Sequence, residues 1–169
     1  ALLAGNAVLY KPSEFATLTG QHLVRLLHEA GVPRDVLALV VGAGAAGAAL
    51  LEQPIDGLFF TGSVATGKRI AAALAGRLVK LQLELGGKDP TYVRADADPK
   101  ASAESLADGA MYNSGQSCCS VERIYVHAAV YDAFLDHFLK TVDDFKVGDP
   151  MDESTYIGAI ARAPQLDVL

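Results

Sequence analysis

The sequence predicts an α/β fold whose first half is a doubly wound parallel sheet. Short apolar runs alternate with helical patterns along residues 1–85, beginning with a strand. The run at residues 36–41 is almost continuously apolar, which is typical of a parallel strand covered on both faces. After Gly86 and Gly87 the alternation starts again. We therefore predict two α/β lobes, residues 1–85 and residues 86–169.

The first lobe is predicted to contain four strands joined by three helices. We place the strands at residues 7–10, 36–41, 58–61 and 78–85. Apolar faces at helical spacing and end signals indicate the helices. These features are Leu23, Leu26, Leu27 and Ala30 before Gly31, small residues from Gly44 to Pro54, and Ile70, Ala73 and Leu74 after a capping Ser63.

The second lobe is predicted to contain two strands, at residues 91–93 and 123–126, and two helices. Asp98 and Pro99 are typical of a helix start, because aspartate caps the first turn and proline suits its first position. The helix faces are Ala103, Leu106, Ala107 and Ala110, ending near Gly115, and then Tyr131, Phe134, Leu135, Phe138, Leu139 and Val142.

The composition indicates a globular protein and argues against several functional classes. The chain has 169 residues, of which 51% are hydrophobic, and a formal net charge of −6. Without clustered lysine and arginine we expect no nucleic-acid binding. No apolar run reaches the ~20 residues that span a bilayer, so we expect no membrane segment. The histidines lack metal-ligand spacing, so we expect no metal site.

The two cysteines are adjacent, which does not make a disulfide framework. This favours a reducing compartment, the cytoplasm or, with a longer N-terminus, the mitochondrial matrix. A thiolate is a strong nucleophile, and a nearby cation or helix N-terminus lowers the pKa of a thiol. Buried structural cysteines are the alternative for Cys118 and Cys119. Glu84 ends an apolar strand beside Gly86, where it is either a solvated strand end or a partly desolvated general base.

Two further segments are candidates for ligand binding. Lys11 and Glu14 follow the first strand, a position where open α/β sheets bind ligands, although exposed loop charges are the plain alternative. Ser63 precedes a helix, whose free N–H groups favour an anion such as phosphate, and it can equally be an ordinary N-cap. A Gly-x-Gly-x-x-Gly match after the second strand is weak evidence alone.

Four segments in one order are the most informative feature of the chain. They are Lys11-Pro12-Ser13-Glu14, Phe60-Thr61-Gly62-Ser63, Leu83-Glu84-Leu85-Gly86-Gly87-Lys88 and Asn113-Ser114-Gly115-Gln116-Ser117-Cys118-Cys119. With them the chain resembles the NAD(P)-dependent aldehyde dehydrogenase superfamily, from Ala4 to Pro150. The resemblance implies most of a cofactor lobe followed by the first part of a catalytic lobe, truncated at both ends.

The resemblance implies that the intact enzyme oxidises a small-molecule aldehyde to a carboxylic acid. Cys118 is the implied nucleophile, which forms a thiohemiacetal and then a thioester. Glu84 is the implied base that activates water to hydrolyse the thioester. The family's asparagine that helps to stabilise the oxyanion lies upstream of Ala1, so we expect this piece to be inactive alone. A homodimer or homotetramer is implied for the full-length protein.

The resemblance also implies a nicotinamide cofactor. NAD is favoured over NADP because the carboxylate of Glu14 repels a 2′-phosphate, and NADP stays the alternative. Lys11 and Glu14 would hold the adenosine ribose, Gly44 would lie near the adenine, and Ser63 would contact the pyrophosphate. The remaining implied cofactor residues are Phe60, Thr61, Gly62, Leu85 and Gly86.

Other functions are weighed against this one. A relative that passes the thioester to coenzyme A commonly lacks the base, so Glu84 counts against it. A reducer of semialdehydes or phosphate-bearing aldehydes would run the reaction in the opposite direction. A non-catalytic structural or binding relative is disfavoured by the presence of Cys118 and Glu84. A Cys-His hydrolase would need a histidine in a suitable motif, and the sequence offers none.

Overall fold

The computed structural model describes residues 1–167 and 169. They form two compact units, the first made of Ala1–Phe60 and Ala65–Leu83 and the second of Thr61–Val64 and Glu84–Leu169. Each unit combines helices with paired strands, so the α/β class is confirmed. Among the described residues, none of the helices has the length and apolar character that crossing a bilayer requires. The cofactor and catalytic roles of the predicted lobes stay predictions.

The strands and helices predicted for residues 1–85 are all present. In chain order they are β1 (Val8–Tyr10), α1 (Thr17–Glu29), β2 (Leu37–Leu39), α2 (Gly44–Leu51), β3 (Gly57–Gly62), α3 (Val64–Leu74) and β4 (Lys80–Leu85), with short 3-10 helices at Leu2–Ala4 and Glu14–Ala16. β1 and β2 are parallel, with Val8 opposite Leu37. β3 is hydrogen-bonded to β4. Within the described residues the four strands thus form two pairs, where the sequence predicts one continuous sheet.

The packing of α1 differs from the predicted leucine face. Gly20 is buried against Pro12, and a Cβ on Gly20 would lie 2.6 Å from the ring carbons of that proline. Val24, four residues later on the same face, is only 6% exposed, whereas Leu23 and Leu26 are 46% and 45% exposed. The predicted face was wrong at these two leucines because the close approach to Pro12 sets which side of the helix is buried.

The second unit contains the remaining strands and helices. They are β5 (Asp89–Val93), α4 (Pro99–Met111), β6 (Val121–Val126) and α5 (Tyr131–Asp143), with short 3-10 helices at Tyr112–Gly115, Ala128–Val130 and Ala163–Gln165. β5 and β6 are parallel, with Thr91 opposite Ile124. The predicted cap of α4 is confirmed, because Asp98 Oδ1 accepts hydrogen bonds from the N–H groups of Lys100 and Ala101 at 2.8 and 3.1 Å.

The core of the second unit lies where β5, α4 and α5 meet. Val93, Ala103 and Phe134, one from each element, are 3%, 0% and 4% exposed. The ring of Phe138 stacks on that of Phe134, with the centroids 5.7 Å apart. The predicted apolar stripe of α5 is therefore confirmed at its centre. It is wrong at Tyr131, the first residue of α5, and at Leu139, which are 47% and 54% exposed.

Phe134 is the side chain of α5 on which the second unit depends most. We expect Phe134→Ala to lower the free energy of unfolding of the full-length protein by about 3–5 kcal/mol, because it leaves a cavity in a dry core. Tyr131→Ala is the matched control on the same helix, and we expect a loss of about 1 kcal/mol or less. Urea denaturation measures both. Equal losses for the two variants would contradict the described core.

Candidate active site

A strained turn follows α4 and leads to the two cysteines. The sequence predicts that α4 continues to near Gly115, but the helix ends at Met111. The reason is that Asn113, Ser114 and Gly115 adopt left-handed backbone angles, with φ of 52°, 58° and 70°. The left-handed conformation raises the free energy of a residue other than glycine by about 1–2 kcal/mol. Such strain persists only where surrounding contacts hold it.

Side-chain hydrogen bonds hold the turn. Asn113 Nδ2 donates to the carbonyl oxygen of Gln116 at 2.9 Å, and Gln116 Nε2 donates to the carbonyl oxygen of Asn113 at 3.0 Å. Ser120, which is 3% exposed, donates from Oγ to the carbonyl oxygen of Gly115 at 3.3 Å. Both cysteines are exposed in this chain, and their roles stay predictions.

Glu84 projects from the end of β4. Burial alternates along this strand, so that Leu83 and Leu85 are half-buried and Glu84 is exposed. A Cβ on Gly86 would meet no atom within 4 Å, whereas a Cβ on Gly87 would lie 3.6 Å from the carbonyl oxygen of Cys118. The glycine turn after Glu84 therefore passes close to the backbone of Cys118 and leaves open space at Gly86.

One cavity of the second unit brings the carboxylate and a thiol together. It has a volume of about 390 Å³, and both Glu84 and Cys118 line it. Four predicted cofactor residues line it as well, namely Thr61, Gly62, Leu85 and Gly86. The other lining residues are Gly87, Ser114, Gly115, Gln116, Ser117, Ile160, Arg162, Gln165 and Leu169. The predicted catalytic pair thus shares one space, and Cys118 rather than Cys119 faces it.

The two thiols differ in acidity. A side-chain hydrogen bond to Cys119 raises the pKa of Cys118, and the charges of Cys119 and Glu84 act in the same direction. Hydrogen bonds to Ser117 and then Tyr112 lower the pKa of Cys119. The Ser117 and Tyr112 hydroxyl oxygens lie 3.4 and 3.5 Å from the Cys119 sulfur. The cavity thiol is the less acidic of the two, so its attack on a carbonyl requires a base.

This difference predicts the order of alkylation. At neutral pH we expect iodoacetamide to modify Cys119 before Cys118, because the thiolate is the reactive form. As the pH rises through the raised pKa of Cys118, the share of label on Cys118 increases. Fragment spectra of the peptide that contains both cysteines, labelled between about pH 6 and pH 10, measure that share. In the matched variant Tyr112→Phe we expect a smaller excess of label on Cys119 over Cys118. Equal labelling of the two cysteines in the unaltered protein at neutral pH would contradict the contacts of Cys119 with Ser117 and Tyr112.

Four predicted cofactor residues lie in the first unit, namely Lys11, Glu14, Gly44 and Phe60. Lys11 Nζ is 4.0 Å from Glu14 Oε2 and donates to the carbonyl oxygen of Pro12 at 2.8 Å. Gly44 is the first residue of α2. The side chain of Lys11 also approaches this helix, since a Cβ on Gly47 would lie 3.6 Å from Lys11 Cε. Lys11, Glu14 and α2 therefore form one cluster after β1.

Two predicted cofactor residues flank the end of β3. Phe60 is half-buried within the strand, and Ser63 directly precedes α3, which begins at Val64. The position of Ser63 before a helix is thus as the sequence predicts. Its contact with a phosphate group stays a prediction.

Sequence reasoning missed the C-terminal residues around the cavity, of which Ile160 and Arg162 are the clearest. It also missed Tyr112 beside the cysteines. None of these residues belongs to a recognised motif. The available signal was Arg162 itself, the one cation of residues 149–169, whose four other charged residues are acidic.

Comparisons with known proteins agree with the motifs. The model of the aldehyde dehydrogenase family matches residues 1–169. The chain is 42% identical to 4,4'-diapolycopene aldehyde oxidase of Methylomonas sp, over 100% of this chain and 32% of the relative. It is 41% identical to betaine aldehyde dehydrogenase 2 of Rhizobium meliloti (strain 1021), over 96% of this chain and 34% of the relative.

A solved structure shows the same fold. The crystal structure of the NAD-dependent aldehyde dehydrogenase from Sinorhizobium meliloti matches with a TM-score of 0.91 and 39% identity, over 95% of this chain and 32% of that one. The chain thus spans about a third of the length of the curated relatives, 32% and 34%. The resemblance carried by the four motifs is confirmed: the chain belongs to the aldehyde dehydrogenase family.

Proposed function

We propose that the protein containing this chain oxidises an aldehyde to the carboxylic acid with NAD(P)+, through a thioester on Cys118. The observation that carries the proposal is the cavity that Cys118 shares with Glu84. Membership of the aldehyde dehydrogenase family supports the same general reaction. The position of Glu84 in the cavity favours water, rather than coenzyme A, as the acceptor of the acyl group.

The second unit offers room for the nicotinamide end of the cofactor beside the thiol. Gly62 and Gly86 line the cavity without side chains, and a Cβ on Gly86 would meet no atom within 4 Å. We propose that these glycines, with Thr61 and Leu85, contact the nicotinamide. When bound, the cofactor accepts the hydride of the thiohemiacetal carbon, which leaves a thioester on Cys118.

The first unit offers polar groups for the adenosine end. The Lys11–Glu14 pair presents a cation and a carboxylate next to α2. A carboxylate suits the free hydroxyls of a ribose and repels a 2′-phosphate, which supports NAD over NADP. We propose the start of α2 at Gly44 for the adenine, and Ser63 before α3 for the pyrophosphate.

The thiol proton has to leave before Cys118 can attack. The pKa of Cys118 is raised by its hydrogen bond to Cys119, so the resting thiol is protonated at neutral pH. Glu84 is the carboxylate in the same cavity and takes this proton. The sulfur then bonds to the aldehyde carbon while the carbonyl oxygen becomes an oxyanion, which the backbone N–H of Cys118 can stabilise.

Hydrolysis of the thioester uses the same carboxylate. After Glu84 has released the proton of the thiol to solvent, it accepts a proton from water, and the water oxygen bonds to the thioester carbon. The carbon–sulfur bond then breaks, the carboxylic acid leaves, and Glu84 returns its proton to the sulfur of Cys118, which restores the thiol. The atoms balance with one water consumed for each aldehyde oxidised.

The test is turnover of the full-length protein with propanal and NAD+. We expect one carboxylic acid and one reduced cofactor for each aldehyde, without coenzyme A, and a lower kcat/KM with NADP+. Chromatography of the acid and the absorbance of the reduced cofactor measure the two products. A product that forms only with coenzyme A would instead identify an acylating enzyme, and an inert protein would overturn the proposal.

A further inference from the structure

The segment at residues 146–162, here called the C-terminal strap, forms one wall of the cavity that contains Cys118. Two of its residues, Ile160 and Arg162, line that cavity. The strap is bonded to the turn that precedes the cysteines at two points. Ser114 Oγ donates to the carbonyl oxygen of Gly158 at 2.9 Å, and the backbone N–H of Ala161 donates to Gln116 Oε1 at 2.9 Å.

The strap has internal structure of its own. Val147 and Ile157 form an isolated parallel bridge, and the N–H of Gly148 donates to the carbonyl oxygen of Ile157 at 3.1 Å. The rings of Phe145 and Tyr156 stack with their centroids 4.4 Å apart, at the base of the strap. Tyr156 also donates from its hydroxyl to Asp108 Oδ1 of α4, which anchors the middle of the strap. The two bonds to the turn then place the part of the strap that lines the cavity, residues 158–162.

Gln116 joins the strap to the strained turn through one side chain. Its Oε1 accepts from Ala161, and its Nε2 donates to the carbonyl oxygen of Asn113 at 3.0 Å. Asn113 and Ser114 hold the left-handed backbone that directs the chain toward Cys118. A single amide group is therefore bonded to the backbone of both the turn and the strap.

We infer that Gln116 is a positioning residue that fixes the strap as a wall of the cavity, and thereby sets the space in front of Cys118. Ser114 supports it through the second bond. The inference rests on the proposed function in taking Cys118 as the reacting thiol. The size of the group that can reach the sulfur then depends on Gln116, although Gln116 does not react.

Hydrogen exchange of the full-length protein tests the contact directly. In Gln116→Ala the N–H of Ala161 loses its acceptor, and we expect its exchange to become about five- to tenfold faster. Gln116→Glu keeps an acceptor oxygen at this position, so Ala161 should stay protected. Glu153→Gln, an exposed change on the same strap, is the matched control. Unchanged exchange at Ala161 in Gln116→Ala would overturn the inference.

Alkylation by a small and a bulky reagent tests the consequence. Iodoacetamide and N-phenylmaleimide are compared on Cys118 in a Cys119→Ser background, so that one thiol is read. A released strap widens the cavity, and Gln116→Ala should raise the bulky-to-small rate ratio about threefold or more. If both rates rise by the same factor, Gln116 has only a general structural role and the inference fails.

A second variant keeps the inference testable if Gln116→Ala does not fold. Gln116→Asn is one methylene shorter and cannot span both of its partners, so the same two changes are expected of it. Neither readout requires turnover. If the wild-type protein does not oxidise aldehydes, the proposed function is rejected. If the variants show the wild-type exchange rate at Ala161 and the wild-type ratio of alkylation rates, this inference is rejected.

Discussion

We expect Cys118→Ser to lower aldehyde turnover of the full-length protein by about 10³-fold or more, because a serine hydroxyl is far less acidic than a thiol and a carboxylate such as Glu84 is too weak a base to activate it. The thioester cannot form, so the first turnover should disappear together with the steady state. Rapid-mixing absorbance measures the reduced cofactor formed in the first turnover, as equivalents of enzyme, and the steady-state rate that follows.

Cys119→Ser is the matched control, one residue away in the same exposed loop. Cys119 does not line the cavity with Glu84, so we expect turnover to fall by less than about tenfold. The comparison is a strict test because Cys119 is the more acidic thiol: its hydrogen bonds to Ser117 and Tyr112 lower its pKa. If Cys119→Ser were inert and Cys118→Ser active, the more acidic thiol would be the nucleophile and our choice would be wrong.

Glu84→Gln is expected to separate the two halves of the reaction. Glutamine keeps the size of the side chain but cannot accept a proton, so hydrolysis of the thioester should slow by about 10²–10⁴-fold. The rapid burst of reduced cofactor should persist, although more slowly, because attack by Cys118 also releases a proton. Mass spectrometry of the quenched enzyme should then find an acyl group on Cys118.

Glu104→Gln provides the control for the change of charge. Glu104 lies on the exposed face of α4, 3.9 Å from Lys100, away from the residues that line the cavity. We expect its kinetics to match those of the unaltered protein. An unaltered steady-state rate in Glu84→Gln would show that another group activates water, and the proposed role of Glu84 would have to be abandoned.

The alternation of apolar runs and helical patterns was sufficient to predict the strands and the α-helices of residues 1–85, because these periods follow from local backbone geometry. It did not predict the short 3-10 helices at Leu2–Ala4 and Glu14–Ala16. The orientation of α1 was not predictable in this way. It depends on the contact between Gly20 and Pro12, which lie on different elements. The end of α4 was also missed, because the left-handed backbone of Asn113 and Ser114 is held by hydrogen bonds to Gln116 and to Gly158, the second of which lies far along the chain.

For the candidate site, the sequence identified the carboxylate and the thiol, and the structure places both on one cavity. Their neighbours were harder to find. The hydroxyl of Tyr112 contacts the sulfur of Cys119 across the turn, and no sequence motif predicts the path of that turn. The strap residues that contact the turn, Gly158 and Ala161, lie more than forty positions beyond Ser114 and are joined to the turn through their backbone groups. Such bonds do not depend on which side chains the strap carries, so its sequence holds no signal of them.

The close packing at Gly20 has a consequence for variation at this position. Any side chain there would push against the rigid ring of Pro12, since even a methyl group would lie 2.6 Å from its carbons. That ring belongs to the short stretch of backbone between Lys11 and Glu14. On the proposed role of Lys11 and Glu14 at the adenosine ribose, we expect a bulkier residue at position 20 to weaken coenzyme retention while leaving the sulfur chemistry intact, although this residue itself would touch no ligand.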